Sequence, residues 1–115
     1  MPGELPEFLQ KVIKKYPKVW KSYQDLGETI AGVPGIDSRT QHLVKLAIAV
    51  GSGSEGAVHS HVRRAKEAGV TDEEIMHAVL LSVTTIGWPA AIAALSWTDD
   101  ILKNLAPARQ ASQTR

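Results

Sequence analysis

Hydrophobic residues recur at spacings of three and four along most of the chain. This is the pattern of amphipathic helices, in which one face meets a core and the other meets water. Between residues 17 and 30, for example, Val19, Tyr23, Leu26 and Ile30 fall on one face. Glycine and proline separate such stretches from one another. The pattern predicts an all-α bundle of about six helices, over residues 6–16, 17–30, 39–50, 54–68, 71–86 and 89–105.

Capping residues support three of these helix starts. Asp37 or Ser38 can accept a hydrogen bond from a first-turn amide of the third helix, and Ser54 can do the same for the fourth. Residues 71–74 read "TDEE", which is a capping box at the start of the fifth helix. Gly69 suits the left-handed residue that ends the fourth helix. These signals define the helix bounds better than hydrophobicity alone does.

Two stretches are apolar on nearly every face. Residues 39–50 are apolar almost all round apart from Lys45, which predicts a buried central helix. Residues 78–97 carry no charge and have about the length of a bilayer span. Gly87 and Pro89 interrupt this second stretch, and four hydroxyl side chains dilute it. We therefore expect it to form core and subunit contacts rather than to cross a membrane.

Composition narrows the possible partners. The chain has 115 residues, of which 43% are hydrophobic and 22% charged, and a net charge of +1. We expect a single domain over 1–115, with its core at about 25–102 and a disordered tail at 106–115. The balanced charge gives no reason to expect nucleic acid or an acidic membrane as a partner.

With no cysteine, disulfides, thiolate nucleophiles and thiolate zinc sites are excluded. A cytoplasmic location is expected, because the first ten residues also lack the pattern of a signal peptide.

Candidate chemistry centres on the histidines. In the fourth helix, His61 falls on the apolar stripe with Val58 and Val62, whereas His59 falls on another face with Glu55 and Arg63. His59 is therefore expected at the surface or at the rim of the stripe. A histidine on an apolar face is either a hydrogen-bonded core residue or a functional one.

Two further histidines lie outside that helix. His42 belongs to the third helix, where it either lines the helix entry or faces His61 as a pair. Pairing is expected to push the two imidazole pKa values apart and leave one ring neutral as a base. His77, beside Glu73 and Glu74, is expected to form a surface ion pair.

A metal site is not predicted. His42, His61 and Glu55 offer nitrogen and oxygen ligands. However, Glu55 is spaced to meet His59, and His61 lies on a different face. No HxxxH or HExxH spacing occurs in the chain. The pattern therefore predicts no bound metal and no cofactor.

The stretch from His61 to Leu95, "HVRRAKEAGVTDEEIMHAVLLSVTTIGWPAAIAAL", resembles the carboxymuconolactone decarboxylase family, which includes the alkylhydroperoxidase D-like proteins. Residues 38–50, "SRTQHLVKLAIAV", resemble the helix that precedes this motif in the family. The similarity covers roughly residues 25–102. It implies an all-helical protein that works as a homo-oligomer, with trimers and hexamers typical. It also implies that the uncharged segment 78–97 forms core and subunit contacts.

The resemblance assigns roles residue by residue. In the peroxidase branch of the family, a CxxC pair occupies the positions of Ser54 and Ala57, so thiol peroxidase chemistry is excluded here. The family histidine is retained as His61. A glutamate that relays protons in that branch is replaced by His42. The decarboxylase branch needs no cysteine, since its substrate is a lactone carrying a carboxylate that leaves as CO2.

We therefore predict a cofactor-free acid/base enzyme for a small anionic substrate, without thiol peroxidase activity. His61 is the proton-transferring residue, His42 its partner and Ser54 a hydrogen-bond donor. Substrate contacts are expected from four residues, of which the arginines suit a forked contact with a carboxylate; they are Arg39, Glu55, Arg63 and Arg64. The alternative is a non-catalytic helical oligomer that binds a small ligand or partner at a degenerate site.

Overall fold

The fold is described for residues 5–105 from a computed structural model. They form six helices of nine or more residues and one helical turn of four, and they contain no strand. The elements are α1 (Glu7–Lys15), α2 (Pro17–Ala31), α3 (Ser38–Gly51), α4 (Glu55–Glu67), α5 (Asp72–Leu80), α6 (Val83–Ile86) and α7 (Trp88–Asn104). The predicted all-α fold is confirmed. The predicted tail at 106–115 lies outside the described residues.

Local capping sets the helix starts as the sequence predicts. The Asp37 carboxylate accepts a hydrogen bond from the Thr40 amide at 2.7 Å, so Asp37 rather than Ser38 caps α3. The Ser54 hydroxyl oxygen accepts from the Ala57 amide at 3.2 Å at the start of α4. Both hydrogen bonds of the capping box at Thr71 are formed at the start of α5.

The fifth predicted helix is interrupted. It ends as α5 at Leu80, and the short α6 begins at Val83. Between them, the Ser82 hydroxyl donates to the Val79 carbonyl at 2.6 Å, the kind of local bond through which serine competes with the helical ladder. Gly87 then adopts a φ of +95°, which favours glycine, and Pro89 lies in the first turn of α7. The predicted break at Gly87 and Pro89 is confirmed.

The core is built around α4. This helix packs against α3 on one side and α7 on another, and α5 packs against α3 and α7. The largest fully buried side chains come from these helices and the loop before α5; they are Leu46, Val58, Val62, Val70, Ile75, Val79 and Thr98. The buried Thr98 hydroxyl donates to the Ala94 carbonyl at 2.8 Å. Helix α4 therefore has two different neighbours, and each faces one of its histidines.

Burial of α3 on all faces is not observed. Leu46 and Val50 are buried, but Ile48 on the same helix is 66% exposed. In the uncharged segment 78–97, Leu81 and Trp88 are likewise 61% and 63% exposed. The expectation that α3 is buried on all faces is wrong within residues 5–105, because no described helix covers the face of Ile48. The subunit contacts expected for segment 78–97 stay a prediction. Over residues 5–105, no helix has the length and apolar character needed to cross a bilayer.

Helix α2 presents an apolar face without a core behind it. No residue of α1 or α2 is buried, and the main contact of α2 is with α1. The predicted apolar face of Val19, Tyr23, Leu26 and Ile30 exists, but each of these side chains is more than half exposed. Such a large exposed apolar face is typical of an interaction surface.

Candidate functional site

His61 lies on the side of α4 that faces α3, and it is half-buried. Its Nδ1 atom is shielded from solvent and has no hydrogen-bond partner among residues 5–105. Burial lowers the pKa of His61, because the charged imidazolium loses hydration there. The neutral imidazole is therefore the favoured form near pH 7, which leaves a nitrogen able to accept a proton.

Four side chains of α3 and α4 that can carry positive charge lie near enough for their charges to act on the two imidazoles. His42 and Lys45 are three residues apart on α3, and His61 and Arg64 are three residues apart on α4. This spacing places each pair on one face of its helix. We call His42, Lys45, His61 and Arg64 the cationic cluster. It forms because α3 and α4 pack directly against each other.

The charges within the cationic cluster act on both imidazoles. Burial lowers the pKa of His42, and the nearby Lys45 and Arg64 charges lower it further. Beyond burial, the pKa of His61 is lowered by Arg64, Lys45 and His42. Among residues 5–105, none of the charges that act on either ring comes from a carboxylate. An anion that enters the cluster would therefore meet positive charge without a built-in competitor.

The predicted histidine pair differs in detail from expectation. His42 is close enough for its charge to lower the pKa of His61, which agrees with the two rings facing each other. No hydrogen bond joins the rings in the described part of the chain. Both pKa values are lowered, because burial, Lys45 and Arg64 act alike on the two rings. The separation between the two values that pairing is expected to produce stays a prediction.

Lys45 is a site residue that sequence reasoning missed. It interrupts an otherwise apolar helix and lies three residues after His42, so both side chains fall on one face. That spacing was a usable signal. The spacing of His42 and Lys45 indicates a site only when the fold shows that α4 brings Arg64 close to both side chains.

Ser54 is positioned by its capping role. Its hydroxyl oxygen accepts from the Ala57 amide at 3.2 Å, and the residue is exposed. The hydroxyl proton remains available to a ligand above the first turn of α4, where the unpaired amides also favour negative charge. Ala57, at the second cysteine position of the peroxidase branch, is half-buried and offers no polar group.

Arg39 is held by other parts of the fold. Its guanidinium pairs with Glu74 and also donates to the Gly69 carbonyl at 3.1 Å. Hydrogen bonds from Arg39 and Thr71 lower the Glu74 pKa to about 2. The structure thus gives Arg39 the role of tying the start of α3 to the start of α5, and its predicted substrate contact stays a prediction.

Arg63 does not join the cationic cluster either. It is half-buried, and burial lowers its pKa, while Glu67 opposes the shift and Arg64 adds to it. Its charge is not among those that act on the two imidazoles. Of the three predicted arginines, only Arg64 acts on both histidines.

The other side of α4 holds a different group. His59 lies between Glu55 and Asp100, with its Nε2 atom 3.8 Å from Glu55 Oε2 and 3.7 Å from Asp100 Oδ2. Its side chain is 23% exposed, which agrees with the predicted position at the rim of the apolar stripe, near Glu55, and not with the fully exposed alternative. Asp100 belongs to α7, and the sequence around His59 does not predict that the two side chains lie close together. Glu55, predicted as a substrate contact, belongs to this second group.

An open groove of about 780 Å³ lies between α3, α5 and α6. It is mostly apolar, with Val44, Ile48 and Leu81 in its lining, and none of the predicted site residues lines it. His77, expected to pair with Glu73 or Glu74, is exposed at this groove and forms no ion pair within residues 5–105.

Comparison with known proteins agrees with the resemblance seen in the sequence. The profile of the carboxymuconolactone decarboxylase family matches residues 17–100. An uncharacterised protein of Methanocaldococcus jannaschii is 32% identical over 87 residues, which cover 74% of this chain and 84% of that protein. A 4-carboxymuconolactone decarboxylase of Acinetobacter baylyi is 31% identical over 72 residues, covering 63% of this chain and 54% of that enzyme. The chain thus matches about half the length of that decarboxylase.

A solved structure shows the same fold. A carboxymuconolactone decarboxylase family protein from Legionella pneumophila, crystallised in its apo form, superposes with a TM-score of 0.68 at 19% identity. The match covers 84% of this chain and 85% of that one. Together with the profile match, which spans most of the described helices, this shows that the chain belongs to the carboxymuconolactone decarboxylase family.

Proposed function

We propose that the protein is a cofactor-free acid/base enzyme that binds a small organic anion at the cationic cluster. The observation that supports the proposal is that the charges of Lys45 and Arg64 act on the two half-buried imidazoles of His42 and His61, while no carboxylate of residues 5–105 acts on either ring. A carboxylated substrate supplies the negative charge that this arrangement lacks. Arg39 is left out of the proposal because it pairs with Glu74, and Glu55 is left out because it lies beside His59 on the other side of α4.

Binding rests on the two permanent cations. Arg64 offers a planar fork of donors that suits a carboxylate, and Lys45 offers a compact charge from the opposite helix. Both act close to partly buried groups, where water screens charge less than it does at the open surface. Ser54, above the first turn of α4, adds a hydroxyl donor. The site thus selects small molecules with at least one carboxylate.

The chemistry follows from the charge that the substrate brings. A carboxylate beside His61 raises the pKa of its imidazole again, so the ring takes up a proton as the substrate binds. When the carboxylate leaves as CO2, the electron pair of the broken C–C bond stays on carbon. The His61 imidazolium delivers its proton to that carbon, and the ring is reprotonated from water. His42, which lies near His61, acts as a positioning residue for that ring.

The relatives support this reaction class. The Acinetobacter baylyi relative is by its name a 4-carboxymuconolactone decarboxylase, and its substrate class has the carboxylate that the cationic cluster can bind. We propose the same class of reaction for this chain: loss of CO2 from a small carboxylated lactone. The absence of cysteine leaves proton transfer as the chemistry available to the side chains at the family site.

The protein is further proposed to act as a homo-oligomer, a trimer or hexamer. The apolar face of α2 is exposed, and so is much of the apolar groove along α3, α5 and α6. A second copy that covers these surfaces would remove them from water, which is the usual reason for apolar faces of this size. Leu26→Glu on α2 is expected to shift the protein to a smaller assembly in sedimentation measurements. An unchanged assembly would remove α2 from the interface.

A turnover assay tests the proposal. The purified full-length chain is incubated with 4-carboxymuconolactone and CO2 release is measured, beside binding of the same compound by calorimetry. We expect turnover in the wild type, and a loss of at least about 100-fold in His61→Gln with retained helical content. Binding without turnover would favour the non-catalytic alternative. Neither binding nor turnover, with this lactone or with simple dicarboxylates, would overturn the proposed function.

A further inference from the structure

Three metal-binding side chains converge on the side of α4 that faces α7. Glu55 and His59 are four residues apart on α4, and Asp100 comes from α7. One ligand atom from each side chain lies within 4.8 Å of the other two. The geometry points to a binding site for a divalent ion of the zinc class, held by Glu55, His59 and Asp100. This inference is independent of the function proposed for the cationic cluster.

The hydrogen bonding of the His59 ring is incomplete. Its Nε2 atom is shielded from solvent and makes no hydrogen bond within residues 5–105. The two nearest carboxylate oxygens, from Glu55 and Asp100, lie 3.8 and 3.7 Å away. These separations exceed the 2.7–3.2 Å of an N–H···O hydrogen bond. The ring is therefore directed at two acceptors that it does not reach.

An ion of the right size fits between these atoms. Zinc lies about 2.0–2.2 Å from nitrogen and oxygen ligands, and tetrahedral geometry then sets its ligands about 3.4 Å apart. The separations of 3.7 and 3.8 Å around His59 are a few tenths of an ångström larger. Small rotations of the Glu55 and Asp100 side chains would close that difference. The His59 nitrogen is thus too far from either oxygen for a hydrogen bond, while all three ligand atoms lie within 4.8 Å of one another and could share a cation.

The charge around the site favours a divalent cation. Glu55 and Asp100 bring two carboxylates to the imidazole of His59. Lys103 lies 3.8 Å from Asp100 Oδ1, whereas the other oxygen, Oδ2, faces His59. One carboxylate oxygen of Asp100 is thus directed to the proposed ion, and the other to a balancing cation.

The ligand types decide which ion is expected. One imidazole and two carboxylates suit Zn²⁺ and its neighbours Co²⁺ and Ni²⁺. Calcium takes six to eight oxygen ligands, and magnesium is seldom bound by imidazole. Three protein ligands leave a fourth position, which opens to solvent because the Glu55 side chain is 57% exposed. The expectation of no metal rested on a ligand set of His42, His61 and Glu55, which the structure divides between two sides of α4.

A bound ion would connect the first turn of α4 to α7. Helix α4 also carries His61 and Arg64 of the cationic cluster. The ion would thus hold the helix in place from the side opposite α3. Binding to the folded chain alone raises its stability in proportion to the logarithm of ion concentration over the dissociation constant.

Zinc titration of the full-length chain tests the inference. The protein is first treated with EDTA and dialysed, and Zn²⁺ is then added in a calorimeter. We expect one ion per chain and a rise in melting temperature on adding Zn²⁺. His59→Gln and Asp100→Asn should each weaken zinc binding at least about tenfold. Co²⁺ should give the visible absorption of a low-symmetry site in the wild type but not in Asp100→Asn.

Matched variants locate the site. Asp99→Asn removes the neighbouring exposed carboxylate of α7, and His77→Gln removes an exposed histidine; zinc affinity should stay within about twofold in both. The inference is overturned if the wild type binds no zinc. It is equally overturned if Asp100→Asn binds zinc as the wild type does, or if His61→Gln rather than His59→Gln removes the binding.

Discussion

The two histidines of α4 lie two residues apart and meet opposite surroundings. His61 is surrounded by His42, Lys45 and Arg64, whereas His59 lies between the carboxylates of Glu55 and Asp100. Two residues turn a helix by about 200°, so these neighbours in sequence contact different helices. Both residues are histidines, but a different helix packs beside each of them. That helix determines which charged side chains surround the ring. Helix α3 brings Lys45 and His42 to one side of α4, and α7 brings the carboxylate of Asp100 to the other.

The largest expected effect comes from removing the proton-transferring ring. His61→Gln keeps a side chain of similar size but removes the titrating group, and turnover should fall about 10²–10⁴-fold. His77→Gln is the matched control, since it removes a histidine outside both groups and should leave turnover unchanged. Equal losses in both variants, or none in His61→Gln, would contradict the assignment.

The second-largest expected effect is a loss of affinity for the anionic substrate. The double variant Lys45→Gln/Arg64→Gln removes both permanent cations of the cluster. Each charge-assisted hydrogen bond contributes about 1.5–3 kcal/mol, so the affinity for a carboxylated lactone should fall about 100-fold or more. Zinc affinity should not fall in this variant, because its ligands lie on the other side of α4. A parallel loss of both affinities would show that the two sides are not separate.

A smaller effect is expected in the pH dependence of stability. The folded-state pKa values of His42 and His61 lie below the ordinary 6.5, so the unfolded chain binds more protons as the pH falls below 6.5. The free energy of unfolding of the metal-free protein should therefore decrease between about pH 7.5 and pH 5.5. Glu74 does not contribute in this range, because its pKa is about 2.

The Arg64→Gln variant sharpens the pH experiment. It removes one of the charges that lower both imidazole pKa values, so the decrease should be shallower than in the wild type. Urea unfolding at the two pH values provides the measurement. A flat profile in the wild type, or a steeper one in the variant, would show that the cluster is not cationic.

The smallest effect separates the two roles of Ser54. Ser54→Ala removes the cap of α4 and should lower the free energy of unfolding by about 1 kcal/mol. Ser54→Asn keeps an acceptor for the Ala57 amide and should restore most of that stability. A full return of stability without a return of turnover would identify the hydroxyl as a substrate contact. If Ser54→Ala costs no stability, the capping account is wrong.

Helix bounds were predictable because their causes are local. Asp37, Ser54 and Thr71 each bond an amide three residues ahead, and that spacing is visible in the sequence. His61 and His42 were also found early, through helix periodicity and the family resemblance. Lys45 was within reach by the same periodicity. It was passed over because a single lysine in an apolar helix has no evident partner before packing is known.

The rest depended on contacts between distant parts of the chain. Arg39 was expected to bind substrate, but α5 brings Glu74 to it. Asp100 meets His59 only because α7 packs on α4. Ile48 was expected in the core, since hydrophobicity cannot tell whether a covering surface belongs to the same chain or to another copy. Local patterns define the elements, and packing decides which of their side chains meet.

The central claim is that α3 and α4 together form an anion site at the cationic cluster. Its most direct test is calorimetric binding of 4-carboxymuconolactone to the Lys45→Gln/Arg64→Gln variant, beside a Lys14→Gln/Lys18→Gln control that removes two exposed lysines of α1 and α2. We expect the first variant to lose about 100-fold in affinity and the control to bind as the wild type does. Equal affinity in the two double variants would contradict the claim.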